Sequence, residues 1–273
     1  MKKSKENFTK RLTEAAIMLA LTVILSYLKL LDLPYGGSIT LCSMLPTIFI
    51  AYRHGMLWGF GVGIANGILQ LLMGLNSLSY ATSALAAVAI IFLDFIFAFT
   101  VSGFGGIFKG KLKNQTSELV LGVSLVCILR YIFHFISGCT VWAGLSIPTS
   151  EAAIYSLAYN ATYMLPELII AVAGCAYLSG AVDFSAEKLA RISKESMPKS
   201  QFYLKAIGSL GALAAFIADV LLIAPHLQNA ETGEFDITGI SAVNFGTIGI
   251  VTLCGLVWFS AFYFIYSKKR KSN

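Results

Sequence analysis

A succession of apolar segments, each close to the length that crosses a lipid bilayer, constrains this 273-residue chain more than any other feature. Because a helix rises ~1.5 Å per residue and the hydrocarbon core is about 30 Å thick, one span needs about 20 apolar residues. The segments are 13–31, 39–52, 56–74, 81–107, 119–138, 152–178, 203–223 and 245–266. The second is short and contains Pro46, so we expect it to be kinked or partly re-entrant. The sequence therefore predicts about eight membrane spans.

The composition agrees with an integral membrane protein. Hydrophobic residues make up 57% of the chain and charged residues 12%, against ~25% charged residues in a typical soluble domain. No long segment lacks an apolar run, which leaves no room for a separate soluble domain. The five cysteines lie inside apolar runs without CxxC spacing, so they indicate neither a disulfide framework nor a metal site.

The basic residues indicate the orientation of the chain. With the N-terminus inside, every Lys and Arg except Lys29 and Arg130 falls in a segment on the inner face. Three acids, Glu231, Glu234 and Asp236, lie on the other side. The positive-inside rule then predicts a multi-pass protein of the cell membrane with both termini in the cytoplasm. This bias accounts for the formal net charge of +6, so the charge indicates no nucleic-acid partner.

Two consecutive segments carry polar and aromatic side chains at helical spacing. His134, Gly138 and Trp142 stand at i, i+4 and i+8, so they share one stripe with a gap at the glycine where a flat group fits. In the predicted topology this segment runs outward and the next runs inward, which brings Tyr155 and Asn160 to the same outer level. The alternative is that Trp142 belongs to the aromatic belt at the membrane surface and His134 to a satisfied interior.

Asp94 is an acid in the middle of the apolar stretch 90–97. An ionisable residue inside a span costs about 2.5 to 3.5 kcal/mol on insertion scales and is a functional-site hypothesis by default. The residue either binds a cationic ligand or pairs with Arg130. We interpret two other acids of the apolar segments, Glu167 and Asp219, as structural.

The sequence contains no catalytic constellation. HExxH and GxSxG motifs are absent, and the glycine-rich stretch 105–112 lacks the Ser or Thr of a phosphate-binding P-loop. We therefore expect a binding protein that is not an enzyme and uses neither a metal nor a cofactor. An acid, aromatic rings and an amide in an outward-facing pocket suit a small, flat cation through charge, stacking and cation–π contact.

Five stretches of the chain resemble the thiamine-specific substrate-binding subunits, or S components, of energy-coupling factor vitamin transporters. These stretches are 34–39, 53–55, 92–95, 129–142 and 155–160. The resemblance covers roughly residues 10–182, and the last two stretches are the most specific. It implies a six-helix membrane fold that captures thiamine from outside and docks on a separate energising module. That module consists of one transmembrane subunit, the T component, and two ATPase subunits.

Carried over position by position, the resemblance implies roles for individual residues. Asp94 matches the family's acidic ligand residue. His134 and Trp142 match its ring-stacking pair, and Gly138 matches the small residue between the rings. Tyr155 and Asn160 match its hydrogen-bonding pair. Phe95, Tyr159 and Gly37 are further candidate ligand contacts, with Phe95 standing where members often have a tyrosine. Ala16 and Ala20 match a small-residue patch that faces the transmembrane subunit.

The resemblance stops before the C-terminal segments. We expect a thiamine-binding membrane domain over residues 10–182, a cytoplasmic polar linker over 183–202 and a membrane extension over 203–273 that the family lacks. The predicted fold is therefore an all-α polytopic helix bundle, with a six-helix core and about two extra C-terminal helices. The alternatives are an S component for another vitamin or a thiamine precursor, a stand-alone secondary transporter, and a membrane-embedded enzyme.

Overall fold

The structure is a computed structural model. The chain forms two compact units, Met1–Ile192 and Ser193–Asn273. It describes residues 2–33, 36–81, 83–142, 150–192, 199–227 and 237–271. The domain limits expected from the sequence, at residues 182 and 202, stay a prediction.

The described part of the first unit is mainly helical. Helices α1, α2 and α3 cover Lys2–Tyr27, Leu45–His54 and Met56–Met73. A 3-10 turn follows at Leu75–Tyr80, and helix α4 covers Ala84–Ala89. A π-helical stretch at Ile90–Phe97 continues into helix α5, Ala98–Thr100, and a second 3-10 turn, Val101–Gly106. Helices α6 and α7 are Gln115–Trp142 and Ser150–Ala181, and they pack along each other.

Two short antiparallel strand pairs accompany these helices. Strand β1, Lys29–Asp32, pairs with β2, Ser38–Thr40, and β3, Val182–Asp183, pairs with β4, Ala190–Arg191. The first pair corrects the sequence interpretation, which extended the first apolar span to residue 31. The helix ends at Tyr27 because the next residues form strand β1, which pairs with β2. Lys29 Nζ and Asp32 Oδ2 of this strand lie 2.9 Å apart, and both side chains are exposed.

The number of spans also differs from the prediction. Helix α2 has ten residues, and at ~1.5 Å per residue it covers only about half of the hydrocarbon core, so the second apolar run is a buried helix. Helix α1 carries charged residues along its first half and is less apolar than the other long helices. Among the described residues, the helical segments long and apolar enough to cross a membrane number six: Met56–Met73, Ala84–Gly106, Gln115–Cys139, Ala153–Ala181, Tyr203–Ile223 and Phe245–Tyr266.

Glycines let α3 approach the segment that carries Asp94. A Cβ atom on Gly63 would lie 2.7 Å from the carbonyl oxygen of Phe99, and one on Gly67 would lie 2.8 Å from that of Phe95. These two glycines therefore serve packing inside the protein. The close contact holds the π-helical stretch, which contains Asp94, against α3.

The second unit contains two long helices among its described residues. Helix α8 covers Lys199–Ile223 and α9 covers Phe245–Lys271, with 3-10 turns at Ala224–Leu227 and Ile237–Ala242 between them. Thr252 Oγ1 of α9 donates a hydrogen bond of 2.7 Å to Asp219 Oδ2 of α8. Asp219 therefore ties the two helices together, which confirms the structural role predicted for it.

Candidate ligand-binding site

A cavity of about 520 Å³ lies within the first unit, between the β1–β2 hairpin, α3, the π-helical stretch, α6 and α7. Its size falls within the ~300 to 1,000 Å³ typical of pockets for small ligands. The charged side chains and the histidine in its wall are Lys29, Asp32, Asp94, Arg130, His134 and Glu167. The cavity thus combines ionisable groups with membrane helices, an arrangement that is costly unless the groups are paired or bind a ligand.

Asp94 is held by two hydrogen bonds from α6. Its Oδ1 lies 2.8 Å from His134 Nδ1, and its Oδ2 accepts a 2.5 Å bond from Ser137 Oγ. The residue lies in the π-helical stretch, and such wider turns inside helices frequently occur at functional sites. The alternative partner predicted for Asp94, Arg130, is wrong, because the guanidinium pairs elsewhere.

Arg130 pairs with Glu167 of α7. Its Nη1 lies 3.9 Å from Glu167 Oε2, and its guanidinium lies over the ring of Phe99 at 4.6 Å from the centroid. Thr40 of β2 donates a 2.7 Å hydrogen bond to the other carboxylate oxygen of Glu167. Both charged side chains are buried, so this pair is a structural tie that leaves Asp94 without a cationic partner from Arg130. The structural role predicted for Glu167 is confirmed.

His134 presents a nitrogen with no protein partner. Its Nδ1 bonds to Asp94, and its Nε2 is buried without a hydrogen bond to any described residue. The ring also meets the ring of Tyr163 edge-on at a centroid distance of 6.1 Å. Since buried polar atoms are nearly always hydrogen-bonded, this nitrogen marks a position where a ligand group can bond.

Gly138 and Asn160 both line the cavity, but each is tied to the contact between α6 and α7. A Cβ atom on Gly138 would lie 2.2 Å from Ser156 Oγ, so the glycine allows the helices to approach closely. The Cβ side of this glycine faces α7, and its contact with a flat ligand stays a prediction. Asn160 Nδ2 donates to the carbonyl oxygen of Ser156 at 2.8 Å, and Asn160 Oδ1 accepts from Tyr163 at 2.5 Å.

Tyr159 and Gly37 join the β1–β2 hairpin to α7 at the cavity wall. The Gly37 amide donates a 3.0 Å hydrogen bond to the Tyr159 hydroxyl, and a Cβ atom on Gly37 would lie only 2.7 Å from that oxygen. Tyr155 stacks on Tyr159 at 6.4 Å and is not among the described residues that line the cavity. Phe95 does line it. Trp142 ends α6, and its side chain lies outside what the structure describes.

Two residues at the site were missed by the sequence interpretation. Ser137 stands three residues after His134, and Tyr163 stands three residues after Asn160 and four after Tyr159. Residues at these spacings share a helix face, so the signal was present in the spacing already used for the neighbours. In the described part of the chain, no group of three or more His, Cys, Asp or Glu side chains is placed to hold a metal ion.

Ala16 and Ala20 lie on an exposed face of α1. Both are exposed, one turn apart, together with Ile17, whose exposed fraction is 61%. Ala15, on the opposite face, is buried against α2 and α3 by contact with Ile50 and Val62. The exposed alanines thus present a flat surface away from the protein core, and their contact with a transmembrane subunit stays a prediction.

Comparison with known proteins places the chain in a family. The model of the family described as thiamine transporter protein (Thia_YuaJ) matches residues 12–183. The chain belongs to this thiamine transporter family. As a family member it is a multi-pass membrane protein of thiamine transport and not an enzyme.

Two relatives agree with this assignment. The thiamine transporter ThiT of Bacillus subtilis (strain 168) is 33% identical over 171 residues, which are 59% of this chain and 85% of that protein. The solved structure of ThiT from Listeria monocytogenes superposes with a TM-score of 0.50 at 23% identity, covering 63% of this chain and 94% of its own. That similarity shows the same fold over the part of the chain that is covered. The family match ends at residue 183, before the second unit begins.

Proposed function

We propose that the 520 Å³ cavity binds thiamine, and that the carboxylate of Asp94 is the main polar contact of the ligand. The observation that carries this proposal is the Asp94–His134 pair at 2.8 Å, on the wall of a small-molecule cavity in a thiamine transporter family member. The acids of the wall are Asp32, Asp94 and Glu167. Asp94 lies inside a helical segment long enough to cross the membrane, and no arginine or lysine among the described residues pairs with it.

The chemistry of thiamine matches the groups on the wall. Thiamine joins an aminopyrimidine ring, which offers donors and acceptors, to a thiazolium ring with a permanent positive charge. A carboxylate in a low-dielectric site attracts such a cation more strongly than it would in water. The unpartnered Nε2 of His134 accepts or donates one hydrogen bond, and the rings of Tyr163 and Phe95 supply flat aromatic surface.

The second part of the proposal is that the protein acts as the substrate-binding subunit of an energy-coupling factor transporter. The chain lacks a complete P-loop, so ATP-driven uptake needs ATPase subunits supplied by other chains. The exposed alanines of α1 suit close helix packing against a transmembrane T component, since small residues let membrane helices approach. In this arrangement the protein binds thiamine at the outer side of the cell membrane and has both termini in the cytoplasm.

Calorimetric titration of the purified full-length protein with thiamine tests the first part. We expect saturable binding of one thiamine per chain, displaced only weakly by the isolated hydroxyethylthiazole or aminopyrimidine halves. A vitamin of another class that binds more tightly than thiamine in the same competition series would overturn the ligand assignment.

Reconstitution into liposomes tests the second part. The protein alone should bind thiamine without accumulating it, and uptake should require the T component, both ATPase subunits and ATP. The double variant Ala16→Trp, Ala20→Trp should block assembly with the T component but bind thiamine as the parent does. Ala173→Trp, at an exposed alanine of α7, is the matched control and should assemble normally. Accumulation by the lone protein would instead identify a self-sufficient transporter.

A further inference from the structure

A second cavity, of about 270 Å³, lies in the first unit away from the thiamine site. It is formed by the third turn of α1, the end of α2 and the segment that follows β3. Its wall consists of Lys10, Arg11, Arg53, His54, Phe184, Ser185, Ala186 and Glu187. Three permanently basic side chains therefore face one acid in this wall.

Arg53 makes the wall rigid. Its Nε and Nη2 donate to the carboxylate of Glu14 at 2.9 and 3.1 Å. Its Nη1 donates to the carbonyl oxygens of Phe184 and Ala186 at 2.9 and 3.1 Å. The side chain is 3% exposed, and these bonds join α1, α2 and the segment after β3. One side of the cavity is thus held by a buried hydrogen-bond network, and the more exposed Lys10 and Arg11 form another part of the wall.

Lys10 and Arg11 supply the positive charge that is available to a ligand. No hydrogen bond or ion pair joins the Arg11 guanidinium to another described residue. Lys10 Nζ donates to the carbonyl oxygen of Glu187 and lies 4.0 Å from its carboxylate, which is 90% exposed and so pairs weakly. Burial lowers the pKa of His54 against the opposing effect of the Glu14 carboxylate, which lies 2.7 Å from His54 Nε2.

Exposed apolar and aromatic side chains surround this cavity, as is typical of the membrane interface. Phe8 and Leu12 of α1 are exposed on either side of the basic pair, with exposed fractions of 58% and 52%. The ring of Phe8 lies 5.6 Å from that of Trp58, and aromatic side chains concentrate at membrane interfaces. The distribution of Lys and Arg assigns this end of the unit to the cytoplasmic leaflet, where anionic lipids produce a negative surface potential.

We propose that this cavity binds a phosphate group, carried by an anionic phospholipid or present as free phosphate, through the side chains of Lys10 and Arg11. Basic pockets between membrane helices on the cytoplasmic side are suited to phospholipid headgroups. Charge-assisted bonds from guanidinium and ammonium groups to phosphate oxygens are among the stronger hydrogen bonds in proteins. The ligand would connect the start of α1 to the segment after β3 at the membrane surface.

The experiment titrates three probes into the full-length protein in detergent and measures binding by native mass spectrometry. The probes are dihexanoyl-phosphatidylglycerol, dihexanoyl-phosphatidylcholine and inorganic phosphate. The variant Lys10→Gln, Arg11→Gln is compared with Lys111→Gln, Lys113→Gln, which removes two exposed lysines of the loop after the second 3-10 turn. Thiamine binding by both variants confirms that each is folded.

We expect phosphatidylglycerol to bind with preference over phosphatidylcholine, and the Lys10, Arg11 variant to weaken that binding by roughly 30-fold, which is about 2 kcal/mol. The Lys111, Lys113 variant should bind as the parent does. Binding of inorganic phosphate with the same dependence would assign the site to free phosphate, and its absence assigns the site to the lipid. Failure of both phosphatidylglycerol and phosphate to bind, or equal losses in the two variants, would overturn the proposal.

Discussion

Replacing Asp94 by asparagine removes the charge of the candidate thiamine contact while it nearly preserves the volume of the side chain. In the structure each carboxylate oxygen has one partner, His134 Nδ1 on Oδ1 and Ser137 Oγ on Oδ2. The asparagine amide can replace one acceptor and turns the other into a donor, so the loss combines a missing charge with a disturbed pair of hydrogen bonds.

Removing one member of a buried, hydrogen-bonded charge pair costs about 2 to 5 kcal/mol, which is roughly 30-fold to a few thousandfold in affinity at about 1.4 kcal/mol per factor of ten. We expect Asp94→Asn to weaken thiamine binding within that range. Asp94→Glu should weaken it less, because the charge is retained although the longer side chain shifts the two hydrogen bonds. Calorimetric titration of both variants at one pH and salt concentration measures the two losses.

Asp32→Asn is the matched control. Asp32 also lines the cavity, but its carboxylate is 61% exposed and pairs with Lys29 at 2.9 Å, so its charge is already neutralised and solvated. We expect this variant to bind thiamine within a few fold of the parent. If Asp94→Asn binds equally well, the carboxylate is not the counter-ion of the ligand, and its role is to hold the π-helical stretch against α6.

Further predictions concern packing and the second unit. Glu167→Gln leaves Arg130 buried without its counter-ion and should destabilise the fold by about 3 to 5 kcal/mol, measured as a lower unfolding temperature in detergent. Gly138→Ala should destabilise by about 1 to 3 kcal/mol, because its Cβ would meet Ser156 Oγ at 2.2 Å, whereas Gly61→Ala, with nothing within 4 Å, should not. Truncation after residue 200 should preserve thiamine affinity, since the cavity lies wholly in the first unit; a folded truncation that fails to bind thiamine would contradict this.

The sequence predicted the helical segments well because apolar length and helical spacing are local properties of the chain. An acid inside the apolar run 90–97 could be recognised in the same way, since its cost is independent of the tertiary contacts. The π-helical geometry around Asp94 left no such signal in the sequence, and neither did the close packing of this stretch against the glycines of α3.

The contacts between distant residues explain what the sequence could not predict. The partner of Arg130 is Glu167, which lies on another helix, and periodicity along α6 carries no information about α7. The spacing along α6 indicated a gap at Gly138, but it could not indicate that a Cβ atom at this position would meet Ser156 of α7. The hairpin at Lys29–Thr40 was absorbed into neighbouring apolar runs because its strands are too short to show alternation.

The structure of the complex with thiamine tests the central claim most directly. A crystal or cryo-electron microscopy structure of the full-length protein at saturating thiamine should show the ligand in the 520 Å³ cavity. We expect an Asp94 carboxylate oxygen within hydrogen-bonding distance of the ligand and His134 Nε2 or its ring in contact with it. Thiamine bound elsewhere, or a cavity that stays empty when the protein is saturated, would contradict the account.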